Sequence, residues 1–172
     1  MLHAKEGLPM WRVYDRVELG LTLLLLSATV LAVLVAAIGR TIGMPVTSAP
    51  QFAQLFLLWT CMFGADLCMR HGEHIRVTAL PDMASVQVRR WLSVFSTVLI
   101  LVFLIWLAWH GFHLAVGNWS RELGGSGLSY GVVTLALPVG AVLLIISTLR
   151  RIKAYGWGRV FEPEADAEEY PL

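Results

Sequence analysis

Four long stretches without a charged side chain constrain this sequence more than any other feature. Residues 19–39, 41–65, 91–120 and 123–149 run 21, 25, 30 and 27 positions between successive Asp, Glu, Lys or Arg residues. A membrane-spanning helix takes about 20 mostly apolar residues, each adding about 1.5 Å. The second stretch opens on loop-forming Gly43, Pro45, Ser48 and Pro50, and the fourth on Gly124, Gly125, Ser126 and Gly127. The pattern therefore predicts four transmembrane helices, over roughly 17–38, 51–70, 91–116 and 129–149, in an all-α integral membrane protein. A soluble alternative fails on composition. The chain is 57% hydrophobic and 15% charged, where soluble domains average about 45–50% and about 25%. The division is a cytoplasmic N-terminal segment (1–16), a four-helix membrane domain (17–153) and a cytoplasmic tail (154–172). The first apolar run exceeds the about 7–15 residues of a signal peptide, so it is read as an uncleaved helix.

Orientation follows from Lys and Arg, which stay on the cytoplasmic side of short loops. Lys5, Arg12 and Arg16 precede the first span. Arg70, Arg76, Arg89 and Arg90 surround the second connection, and Arg150, Arg151, Lys153 and Arg159 follow the fourth span. Only Arg40 and Arg121 fall on the other side, an asymmetry of eleven to two. Both termini and the 70–90 connection are therefore expected in the cytoplasm. Trp11, Tyr14, Trp91 and Trp119 stand at the span boundaries, where indole and phenol rings favour the headgroup zone. Five carboxylates between Glu162 and Glu169 make the tail acidic, as expected of a solvated segment.

Small residues mark candidate helix contacts, because they let backbones approach closely. Ala28, Ala32 and Ala36 recur on helix one, Gly111 and Ala115 on helix three, and Ala136 and Gly140 on helix four. Pro138 interrupts the backbone bonding of helix four and is expected to kink it.

Catalytic chemistry has no carrier in this sequence. There is no phosphate-cradling loop, no HExxH, no CxxC and no nucleophile elbow. With a net charge of +1 there is no electrostatic case for nucleic acid. Cys61 and Cys68 share a face of helix two and read as packed core. His71 and His74 lie at one end of helix two, whereas His110 and His113 lie about 30 Å along helix three from its cytoplasmic start. The two pairs belong to opposite membrane faces, so they do not form a shared haem or metal site. Asp66 is the one carboxylate well inside a span, a position that invites a functional reading. Arg70, one turn away, offers it a partner. Pairing with Arg70, ion coupling and contact with another subunit all stand open on sequence grounds.

The most distinctive stretch is Met69-Arg70-His71-Gly72-Glu73-His74-Ile75-Arg76-Val77. Gly72 suits a helix C-cap, and Arg70 and His71 suit the negative end of the helix dipole. Pro81 and Asp82 then suit the first turn of a short interfacial helix over 84–90. The arginines also suit a cytoplasmic lipid surface.

Together these residues resemble a known family, the small membrane subunit (DctQ-type) of tripartite ATP-independent periplasmic (TRAP) transporters. The resemblance rests on Trp59 in an apolar run, the Gly64-Ala65 step, Arg70, and the sequence Gly72-Glu73-His74-Ile75-Arg76-Val77. Arg40 after helix one and Glu18 near its start match further family positions. Helix two departs at its start, where the family commonly carries carboxylates and this chain has Pro50 and Gln51. Asp66 replaces a small or apolar residue.

The resemblance implies a scaffold rather than an enzyme: a small subunit that braces a large membrane subunit of a secondary transporter. Its further implied partner is a periplasmic binding protein that delivers an organic acid. Sodium is expected on the large subunit, and no cofactor on this chain. The implied location is the bacterial inner membrane, with the lipid bilayer as solvent. Arg40, Trp59, Gly64, Asp66, Arg70, Gly72, His74, Ile75 and Arg76 become the candidate motif or interface positions. Two other classes fit four spans: a self-contained exporter and the membrane anchor of a redox enzyme. The first needs an acidic residue deep in a span, and the second needs haem or quinone ligands.

Overall fold

A computed structural model describes residues 9–71 and 86–157. It contains four helices: α1 (Pro9–Thr41), α2 (Ala49–His71), α3 (Val86–Gly117) and α4 (Gly131–Tyr155). All four are long and apolar enough to cross a membrane. All four continue beyond the uncharged stretches at one end or both. Pro9, favoured in a first helical turn, opens α1, and the charged residues Arg12, Asp15, Arg16 and Glu18 lie within it. Val86–Arg90, the described part of the expected interfacial helix, forms the opening turns of α3 itself. At 33 and 32 residues, α1 and α3 are each roughly 50 Å long, so they tilt within or project beyond a hydrocarbon layer of about 30 Å.

The main helix packing is sequential: α1 lies on α2, α2 on α4, and α4 on α3. The helices thus form a layer in the order α1–α2–α4–α3, with α2 and α4 in the middle and the other two at the edges. The expected small-residue faces lie in these seams. Ala28, Ala32 and Ala36 are half-buried on the side of α1 that also buries Glu18, Thr29 and Gly39. Gly111 meets Leu137 and Pro138, where a Cβ would stand 3.1–3.3 Å from their atoms. Ala115 is buried, its carbonyl close to Gly131. Gly140 gives room to Met62, whose side chain fills the space a Cβ would take. The helix runs unbroken through Pro138.

Four contacts follow one another along the parallel α2–α4 seam. Trp59 meets Val132, Met62 meets Gly140, Asp66 neighbours Ser147, and Arg70 meets Arg151. Advancing along α2 means advancing along α4 as well, so the C-terminal ends of both helices lie together, beside the start of α1. The described N- and C-terminal ends of the chain therefore share one end of the layer.

A compact turn closes the other end. The Leu123 N–H donates to the Leu128 carbonyl and the Tyr130 N–H to the Arg121 carbonyl, both at 2.7 Å, and Glu122 pairs with Ser129 as a single β-bridge. This fold presses Leu123 into a core with Leu55 and Val133, walled by Phe52, Phe56 and Trp59. Gly124 has φ of +57°, the left-handed conformation that favours glycine, and lies against the amide end of the Gln51 side chain.

One expectation is corrected. Cys61 and Cys68 are exposed rather than packed in the core. Their spacing does place them on one stripe of α2, but that stripe faces away from both neighbouring helices. A helix in the middle of a layer keeps an open side, which a helix in the middle of a bundle lacks.

Candidate functional site, an arginine clasp joining three helices

The ionisable groups deepest in the layer gather on Arg70. One turn back on α2, Asp66 accepts from Arg70 Nε at 2.9 Å and also from Nη2. From α1, Asp15 accepts from Nη1, and Glu18 is ion-paired to Nη2. Asp15 and Glu18 are three residues apart, which puts both carboxylates on the α2-facing side of α1. The Tyr14 ring lies 4.6 Å from the guanidinium carbon, a cation–π contact. From α4, Arg151 Nη1 donates to the Arg70 backbone carbonyl at 2.6 Å, and its own guanidinium carbon stands 5.1 Å from the Tyr155 ring.

Burial decides what this cluster can be. Asp66 is fully buried and Glu18 is 4% exposed, while Arg70 is 10% exposed and Asp15 is 43% exposed. Buried carboxylates are costly unless paired and hydrogen-bonded. A planar guanidinium with five N–H donors meets several of them at once, which the point charge of lysine does not. Arg150 also acts electrostatically on Asp66, so three arginines stand against three carboxylates. The Arg151 bond reaches one of the last four carbonyls of α2, which have no partner within the helix. The clasp therefore fixes α1 and α4 against the end of α2.

The threonine hydroxyls inside the layer are committed locally. Thr29, Thr60, Thr97, Thr134 and Thr148 each donate to a carbonyl three or four residues back in their own helix. Among the described residues, no group of three or more His, Cys, Asp or Glu side chains has the arrangement of a metal site.

The predicted site residues divide accordingly. Asp66 and Arg70 come together as an ion pair. Trp59 lies toward the opposite end of the same seam, its indole N–H donating to the Val132 carbonyl at 3.1 Å. Gly64 faces open space, with nothing within 4 Å of where its Cβ would be. Arg40 is exposed at the far end of α1, distant from the clasp. Gly72, His74, Ile75 and Arg76 lie outside the described residues. Sequence reasoning placed Glu18 only through family resemblance and missed Asp15, Tyr14 and Arg151. The three-residue spacing of Asp15 and Glu18 was the available signal, and it needed a known partner helix to become useful.

Over 129 residues the chain is 26% identical to the sialic acid TRAP transporter small permease protein SiaQ of Vibrio cholerae serotype O1, covering 74% of this chain and 75% of that protein. Residues 29–154 match the family described as tripartite ATP-independent periplasmic transporters, DctQ component. The match takes in α2, α3 and nearly all of α4, including Trp59, Asp66, Arg70 and Arg151. This multi-pass membrane chain belongs to the DctQ family, the small permease subunits of TRAP transporters, and is a transporter component rather than an enzyme.

Proposed function

We propose that this subunit is a scaffold. It holds a large membrane subunit in the inner membrane while that partner carries an organic acid inward, coupled to sodium bound on the large subunit. A periplasmic binding protein delivers the substrate. The observation that carries this reading is that the buried charged groups inside the layer are already paired with one another. Asp66 and Glu18 are each ion-paired to Arg70 through one carboxylate oxygen, and the buried threonines bond within their own helices. What is left is a braced layer with wide apolar faces, as suits a supporting part. The relative from Vibrio cholerae is named for sialic acid, itself an organic acid; for this chain the proposal extends to the class and no further. Both termini lie in the cytoplasm, on the strength of the eleven-to-two distribution of basic residues.

Reconstitution tests this reading. In liposomes with an inward sodium gradient, the subunit alone gives no uptake of organic acids. Uptake appears when the large subunit and the binding protein are added. Uptake by the subunit alone overturns the scaffold reading in favour of a self-contained transporter.

A further inference from the structure

The two edges of the layer differ in chemistry. Along α1 the outward side chains are aliphatic, with Leu23, Leu24, Val30, Leu31, Val33 and Leu34 all exposed. The one hydroxyl among them, Ser27, is bonded back to the Leu23 carbonyl at 2.8 Å. This is a surface matched to lipid tails.

The outer half of α3 presents something else. Trp106 packs on His110 with ring centres 4.5 Å apart and ring planes tilted by 51°, and Trp109 meets His113 edge-on at 4.9 Å. Both tryptophans and both histidines are exposed. They are not directed at α4. The α4 side of α3 is marked by buried Leu104, Gly111 and Ala115, and at 3.6 residues per turn His113 points about 200° away from Gly111.

An interfacial aromatic belt does not account for this patch. Trp106 is eleven residues before the end of α3 at Gly117, about 16 Å along the axis and near half the depth of a hydrocarbon layer of about 30 Å. Gly111, beside His110, lies against Pro138, seven residues inside α4. That places His110 about 10 Å below the helix end on that side as well. Ionisable side chains at such depth face protein or a polar cavity rather than acyl chains. Exposed tryptophans are also the residues that most often anchor protein–protein contacts.

We infer that the Trp106–Trp109–His110–His113 face of α3 is the surface on which the large membrane subunit docks, while the α1 edge faces lipid. The inference rests on the scaffold reading above and adds a location to it. The committed occupant is the large subunit, because the family is one component of a multi-part permease. Its matching surface supplies hydrogen-bond acceptors to the two imidazoles and a groove for the two indoles.

The test is photo-crosslinking in membranes containing the complete transporter. Benzoylphenylalanine is placed singly at Trp106 or Trp109, and at Val30 or Val33, which lie equally far from the end of α1. Crosslinks to the large subunit from positions 106 and 109, with none from 30 and 33, are the expected result. Crosslinks from α1, from both edges, or from neither edge while the intact complex is still recovered, overturn the assignment. Crosslinks from α3 between two copies of this chain overturn it in favour of self-association. If the large subunit fails to co-purify with the unaltered chain, the scaffold reading itself falls, and the assignment with it. The double change His110→Leu and His113→Leu gives a second readout. Recovery of the large subunit falls at least several-fold if the imidazoles are buried against it. It stays the same or rises if they face lipid, which also overturns the proposal.

Discussion

At the scale of single residues, Arg70 has more dependents than any other side chain described. Three carboxylates and a tyrosine ring depend on it, and its own carbonyl receives Arg151. Removing one partner of a buried ion pair typically costs about 3–5 kcal/mol, because the other charge is left uncompensated. Arg70→Ala is therefore expected to lower thermal stability in detergent sharply. Arg70→Lys restores the charge without the fork and is expected to fall between the two. Asp66→Asn removes one charge while Asp15 and Glu18 still face Arg70, and is expected to be milder than Arg70→Ala. Thermal unfolding of the four proteins under one set of conditions checks the order. A lysine variant as stable as the parent shows that charge alone is sufficient. The Asp66–Arg70 half of the clasp was readable from a four-residue spacing on one helix. Its other half was not, because Asp15 lies 55 positions from Arg70 and only the packing of α1 on α2 brings them together.

At the scale of elements, the number and order of the helices were legible, and their ends were not. Charged residues served as boundaries when the apolar runs were counted, yet a helix does not stop where it leaves hydrocarbon. Arg12, Asp15 and Arg16 continue α1 outward, and Arg150, Arg151 and Lys153 continue α4, each keeping its backbone bonded in the headgroup zone. The small-residue faces were legible too, because close approach demands them. Gly140 is the sharpest case. A Cβ there would stand 2.6–2.8 Å from Sδ, Cβ and Cγ of Met62, so a rotation of the thioether end alone does not relieve it. Gly140→Val is expected to destabilise the α2–α4 seam by about 1–3 kcal/mol, the usual range for overpacking. Combining it with Met62→Ala is expected to recover part of the loss. A double-mutant cycle on thermal or denaturant unfolding measures the coupling, and additive effects would place the strain elsewhere.

At the scale of the whole molecule, the sequence pattern cannot say whether four spans close into a bundle or spread into a layer. Cys61 and Cys68 make the point, since their shared stripe predicts a core only if every side of α2 is covered. The side of the membrane on which the clasp lies is, by contrast, a matter of charge counting. The helices place both described ends of the chain at the Arg70 end of the layer, and the Leu123 turn at the other. If the basic residues obey the positive-inside rule, the first end is cytoplasmic and the turn is periplasmic. Ser120→Cys and Ala154→Cys probe the two ends at exposed positions, in a background in which Cys61 and Cys68 are replaced by alanine. A membrane-impermeant maleimide applied to intact spheroplasts is expected to label position 120 and not position 154. In inside-out vesicles the pattern reverses. Labelling of position 154 from outside would invert the whole molecule, putting the eleven-residue basic side in the periplasm and leaving Arg40 and Arg121 inside. A small subunit in that orientation would present its clasp, and the connection that follows Arg70, to the binding protein rather than to the cytoplasm.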